Sequence, residues 1–145
     1  MTIFNVRLGQ WLGNPCDTEA WKSSSPKFGA RYLLKVIYQP GSQGVVLANK
    51  RSMELRVRPG SSLDQRERVL AAWYRAHLRE IVPPFIARYE EKMGVRVAEW
   101  GIKQMKTRWG TCTIQAGRIW INLELAKKSP RCLEYILVHE MVHLL

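Results

Sequence analysis

Apolar and polar positions first fall into a regular order at Tyr32. Tyr32 to Tyr38 is rich in β-branched, aromatic and aliphatic residues, and the turn Gln39-Pro40-Gly41-Ser42 closes it. Val45-Val46-Leu47 makes a short second strand, followed by the turn Ala48-Asn49-Lys50-Arg51. Met53 to Arg58 alternates apolar and charged residues, as a strand with one wet face does, and Pro59-Gly60 ends it. Three strands on short turns predict an antiparallel meander. Residues 1–30 show no such order. Gly9, Gly13, Asn14, Pro15 and Ser23-Ser24-Ser25-Pro26 read as turns and loops, with Phe4, Trp11, Trp21 and Phe28 left to pack on the body.

After Pro59-Gly60 the period changes from two to that of a helix. Ser61 or Ser62 is placed to cap it, with Asp64 in its first turn. Val69, Leu70, Trp73, Ala76, Leu78 and Ile81 carry the helical period. Pro83-Pro84 predicts a break or kink, because a proline pushes the residue before it out of helical space. A second helical segment runs from Phe85 to Met93, with Gly94 as its C-terminal cap. Val95 to Met105 reads as a strand. Gln115-Ala116-Gly117 is a turn and Arg118 to Asn122 a strand, which makes a hairpin. Leu123 to Lys128 is a connection of about one helical turn. Ser129 and Pro130 then start a final helix. The order predicts an α+β fold, with a small antiparallel-rich sheet packed on the Asp64–Met93 helical region. It is read as a single domain over residues 1–145, organised as 1–30, 31–60, 61–94 and 95–145.

Composition narrows the class. At 145 residues the chain is long enough to bury a core, and no stretch approaches a membrane span. Its start lacks the basic end and apolar run of a secretory signal. Cys16, Cys112 and Cys132 are an odd number with no CxxC pair, which predicts free thiols and a cytoplasmic setting. The net charge of +11 raises nucleic acid as a partner. That charge is spread, however, at +3 over residues 1–45, +4 over 46–100 and +4 over 101–145. A solvated basic surface explains it as well as a nucleic-acid face does.

The chemistry is concentrated in the last helix, which contains His139-Glu140-Met141-Val142-His143. Residues four apart lie one turn above each other on one helix face. His139 and His143 therefore present two imidazoles to one metal ion. Glu140, one step round, reaches a water on that metal without being a ligand. This is the zincin pattern of two zinc-binding His and a general base. Leu133, Ile136, Leu137, Met141, Val142, Leu144 and Leu145 make the helix apolar on most sides. Three charge-capable residues within such a helix call for a partner. A hydrolytic zinc site needs three protein ligands, and the motif supplies two. The chain stops two residues after His143 without a helix-stop signal, so the third ligand is expected beyond Leu145. His77, flanked by Arg75 and Arg79, reads as a surface or structural histidine. Glu134 is turned away from the ligand face.

Lys106-Thr107-Arg108-Trp109-Gly110-Thr111-Cys112, then Gly117 to Leu123, then Tyr135 to Leu144 resemble, in that order, the YgjP-like metallopeptidase family, which is related to the SprT and WLM peptidases. The resemblance runs from about Arg88 to Leu145, more weakly back to about Tyr32, and not into residues 1–30. It implies a small zinc peptidase with a sheet beside the motif helix. His139 and His143 then match ligands, Glu140 matches the catalytic base, and a third His follows the motif. Thr111 stands where the family often has Ser. In related peptidases a substrate strand adds to a sheet edge, for which Gly117 to Asn122 is the candidate here. Trp109 reads as a core anchor and Gly110 as the residue permitting a tight bend, the alternative being that Arg108 and Trp109 line the cleft. The expected function is a zinc-dependent peptidase acting on protein or peptide. The alternatives are a nucleic-acid-associated basic module, a peptidase acting on DNA-bound proteins, and an inactive fragment lacking its third ligand.

Overall fold

The computed structural model describes residues 2–4, 23–24 and 31–145. The turn and packing expectations for the rest of residues 1–30 lie outside the described residues. The fold is α+β, and the chain divides into two compact units, Met1–Trp73 and Tyr74–Leu145.

In the first unit five strands form one sheet. They are β1 (Thr2–Phe4), β2 (Ser23–Ser24), β3 (Arg31–Tyr38), β4 (Gly44–Leu47) and β5 (Ser52–Val57). The strand order is β1-β3-β5-β4, with β2 also paired to β3. The expected meander is corrected, because β3 and β5 run parallel, in register from Leu33 against Ser52 to Tyr38 against Val57. The reason lies in which strand has most to bury. Met53, Leu55 and Val57 are fully enclosed on β5, whereas Val46 and Leu47 of β4 are exposed. The strand with the full apolar face takes the interior slot, and the short one goes to the edge. Each enclosed aliphatic side chain contributes roughly 1.5–3 kcal/mol. The β4–β5 hairpin is held by Asn49, whose side-chain oxygen accepts from the amides of Arg51 and Ser52. Ser23-Ser24, expected in a loop, pairs with Arg31 and Tyr32, and Thr2–Phe4 pairs with β3.

Helix α1 (Leu63–Met93) opens with a reciprocal cap. The Ser62 hydroxyl accepts from the Gln65 amide, and the Gln65 side chain accepts from the Ser62 amide. Leu70, Tyr74, Leu78, Val82 and Ile86, four apart, form its buried stripe. The expected break at Pro83-Pro84 does not occur, and the helix is continuous through both. The two missing amides would have bonded to the carbonyls of Arg79 and Glu80. All four of these residues are exposed, so those carbonyls lie on the solvent side of the helix while Val82 and Ile86 stay buried. Gly94 ends the helix in a left-handed conformation, φ +68°, with its amide bonded to the Glu90 carbonyl.

The second unit holds a three-stranded sheet of β6 (Glu99–Lys103), β7 (Gly110–Thr113) and β8 (Arg118–Asn122), in the order β6-β8-β7. The hairpin expected across Gln115-Ala116-Gly117 is present as β7–β8. The strand expected over 95–105 shortens to β6, because the Glu90 carboxylate takes the Val97 amide and holds the segment before it. β8 lies in the middle, parallel to β6 and antiparallel to β7. Gly117 to Asn122 is therefore not the edge expected from sequence; β7 is the edge beside the final helix. A 3-10 turn over Leu123–Lys127 leads to α2 (Pro130–Val142). Ile119, Ile121, Leu125, Leu133, Leu137 and Met141 fill the core of this unit. Within that turn Lys127 is buried and bonded to both carboxylate oxygens of Glu124 at 3.0 Å. Among the described residues no helix is long and apolar enough to cross a membrane.

Candidate metal centre

Helix α2 begins as its sequence predicts. The Ser129 hydroxyl accepts from the Cys132 amide, and Pro130 follows in the first turn. The helix packs on β7 and β8 through one stripe, Leu133, Leu137, Glu140 and Met141. Its other side is open, with Tyr135 69% and Val142 48% exposed. The expectation of a helix enclosed on most sides is thus corrected. A three-stranded sheet covers only one face, and of His139, Glu140 and His143 only Glu140 is buried.

His139 and His143 stand on the open side, one turn apart, with ring centroids 5.3 Å apart and planes at 88°. His143 is the first residue past the α-helical hydrogen bonding, at φ −66° and ψ −12°. Its amide donates to the Glu140 carbonyl, and Leu144 and Leu145 continue with bonds to residues three back. This tightened last turn satisfies carbonyls that a bare helix end leaves free, and it holds His143 above His139. One turn earlier, the Tyr135 ring stacks on His139 at 6.3 Å and 26°.

Glu140 is 6% exposed, and its side chain lies over Gly110 of β7. A Cβ built on Gly110 would stand 2.9 Å from Glu140 Cγ, 2.9 Å from its Oε1 and 3.0 Å from Ile136 Cγ2. Gly110 is absent from the residues with positive φ. Its lack of a side chain is therefore explained by space for the Glu140 carboxylate, not by the tight bend expected from sequence. Among the described residues that carboxylate makes no ion pair and no hydrogen bond. Cys112, two residues along β7, has its thiol pKa raised by burial first and by the Glu140 charge second, so it sits as a protonated packing thiol.

Two imidazoles one turn apart beside a buried, unpartnered carboxylate fit the zincin pattern in its two helical ligands and its base. Among the described residues no third His, Cys, Asp or Glu joins them in a group able to hold a metal. His77 lies on α1, outside any such group. Glu134 is engaged elsewhere, as expected from its turn of the helix. It accepts from the Tyr89 hydroxyl at 2.7 Å and lies 3.7 Å from Arg88. That hydrogen bond is the main cause raising the Tyr89 pKa.

Sequence reasoning gave no role to Asn122, which organises the approach to the site. Asn122 is buried at the end of β8. Its amide nitrogen donates to the carbonyls of Met105 and Arg108, its oxygen accepts from the amides of Met105 and Glu124, and its backbone amide donates to Trp109. One side chain thus pins the segment leading into Gly110. An Asn between a strand and a helical turn was the available signal, since Asn caps such turns. Trp109 is 44% exposed, so it is not the core anchor expected; it walls a groove beside the site.

No curated protein and no solved structure gives a match to this sequence. The family model described as YgjP-like, metallopeptidase domain, matches residues 17–145. That match starts earlier than the resemblance read from the motifs, and it takes in part of the N-terminal segment expected to have no counterpart. With its motif helix, adjoining sheet and family match together, the chain belongs to the YgjP-like metallopeptidase family.

Proposed function

We propose that this metallopeptidase is zinc-dependent, with His139 and His143 as two of the protein ligands and Glu140 as the general base for peptide-bond hydrolysis. The observation that carries the reading is the largely buried Glu140, its carboxylate packed against Gly110 and free of ion pairs among the described residues, next to two exposed histidines one turn apart. Zinc bound there supplies polarisation of the scissile carbonyl and a lowered pKa for a bound water. The chain's own groups do the rest. Neutral His139 and His143 hold the ion on the open face of α2. Glu140 accepts a proton in the attack step and returns it to the leaving amine. Packing against Gly110 sets where the carboxylate stands. The free edge of β7 offers backbone groups to an extended substrate, a role the sequence reading had given to β8. Protein or peptide is the substrate class that a peptidase domain implies. The free thiols of Cys112 and Cys132 support a reducing, cytoplasmic setting.

The test is substitution of the two imidazoles. In protein equilibrated with excess zinc, His139→Ala and His143→Ala should each take up less metal than the parent, measured by elemental analysis, and lose cleavage of an unfolded protein. Retention of full zinc content by either variant would remove that histidine from the ligand set.

A further inference from the structure

Beside the motif pair runs a groove of about 520 Å³, within the range of ligand-binding clefts. Its floor and walls are Trp109, Leu125, Tyr135 and Ile136, and Lys128 and Arg131 stand along it. One chain connection and two contacts make it continuous with the site. Trp109 immediately precedes Gly110, against which Glu140 lies. Ile136 meets the same spot on Gly110. The Tyr135 ring stacks on His139. Trp109 and Tyr135 are among the most exposed large apolar side chains described.

The charge of the groove states what it would hold. Among the described residues neither Lys128 nor Arg131 has a carboxylate partner. The Lys128 ammonium lies 5.3 Å over the Trp109 ring, so its charge faces the groove. An apolar floor beside two unpaired cations fits a ligand with a bulky apolar body and a carboxylate close to it. We propose that this groove is a substrate subsite for an extended peptide carrying a large apolar residue next to an acidic one. The proposal rests on the peptidase reading above, because the groove's position beside the motif gives its occupant a reaction. Two aromatic rings beside two cations also suit a stacked base, but the aliphatic Leu125 and Ile136 of the floor match an apolar peptide side chain.

The test uses the Glu140→Gln variant and fluorescence anisotropy with labelled twelve-residue peptides. One carries Leu-Asp at its centre, one Leu-Lys, and one Gly-Asp. The Leu-Asp peptide should bind about five- to tenfold more tightly than either of the others, the size expected of one to two exposed charge contacts against Leu-Lys and of a partly buried leucine against Gly-Asp. Adding Lys128→Glu and Arg131→Glu should reverse the Asp-over-Lys preference while circular dichroism shows an unchanged melting curve. Equal binding of all three peptides, or a preference that survives the charge reversal, overturns the subsite. Displacement of the Leu-Asp peptide by a single-stranded oligonucleotide at lower concentration than by unlabelled peptide overturns it in favour of nucleic acid. The companion cleavage assay, with Glu140 restored and zinc in excess, separates the two readings. Cleavage of all three peptides at equal rates removes the subsite and keeps the peptidase. A Leu-Asp preference in binding with no cleavage of any peptide keeps the groove as a peptide site and removes the peptidase.

Discussion

Replacing Gly110 by alanine tests whether the packing of β7 against Glu140 sets the position of the base. The new methyl would meet Glu140 Cγ and Oε1 at 2.9 Å and Ile136 Cγ2 at 3.0 Å. Ordinary carbon contacts stand at ~3.5–4.0 Å, so something must move by roughly half an ångström or more. Backbone of a paired strand yields little, and Ile136 is held on the same helix. The Glu140 side chain is the movable part, and it has no hydrogen bond to resist displacement. Overpacking of this kind costs about 1–3 kcal/mol. For a chain of this size that is a fall in Tm of roughly 3–10 °C. A catalytic group misplaced by up to 1 Å loses about 10- to 100-fold in rate. Gly110→Ala should therefore lower kcat by about that factor with KM and zinc content little changed. The decisive measurement is a double-mutant cycle on stability. Glu140→Ala removes Cγ and Oε1, two of the three nearest contacts, so the cost of Gly110→Ala should shrink by about 1–2 kcal/mol in that background. An equal penalty in both backgrounds, or a Gly110→Ala protein with unchanged Tm and kcat, would refute the reasoning.

Three further outcomes are expected. Asn122→Ala leaves the carbonyls of Met105 and Arg108 and the amides of Met105 and Glu124 without their partner; it should cost about 2–4 kcal/mol by urea denaturation and speed hydrogen exchange at Trp109. The raised pKa of Tyr89 comes first from its hydrogen bond to Glu134; a raised folded pKa gives stability that is whole below the unfolded value near 10 and is lost as pH climbs through the folded one. Absorbance titration of wild type minus Tyr89→Phe should show one tyrosine ionising above 10, and a difference curve centred at or below 10 would remove that hydrogen bond. Calorimetric titration of the 145-residue chain with zinc should give a constant weaker than about 1 μM, since no group of three donors able to hold a metal is found among the described residues. A nanomolar one-to-one site would reveal a third ligand in the chain, and His77→Ala is the first variant to make.

The elements that local chemistry decides were legible in the sequence. Ser62, Gly94, Ser129 and Pro130 mark helix ends through caps that need only near neighbours. The motif's spacing sufficed to put His139 and His143 one turn apart. What escaped depended on partners distant along the chain. The parallel pairing of β3 with β5 follows from which strand has more to bury, and the antiparallel reading failed because adjacency in sequence stood in for adjacency in the sheet. Pro83-Pro84 misled because a proline rule cannot say whether the freed carbonyls face water. Gly110 and Trp109 were read by residue type alone. Their real environments, a carboxylate overhead and an open groove, come from a helix that begins some twenty residues later in the chain. Glu140's burial could not be separated from that of its apolar neighbours until one face of α2 was covered and the other left open.

The central claim is that Glu140 moves the proton while His139 and His143 hold the metal. It is tested most directly by one paired measurement on wild type and Glu140→Gln, namely zinc content and cleavage of an unfolded protein at excess zinc. The account predicts equal zinc in both proteins, chelator-sensitive cleavage by the wild type, and a loss of at least about a thousandfold in the variant, since a lost base takes most of its catalytic step with it. Cleavage by Glu140→Gln at the wild-type rate, or loss of its zinc, would contradict the assignment.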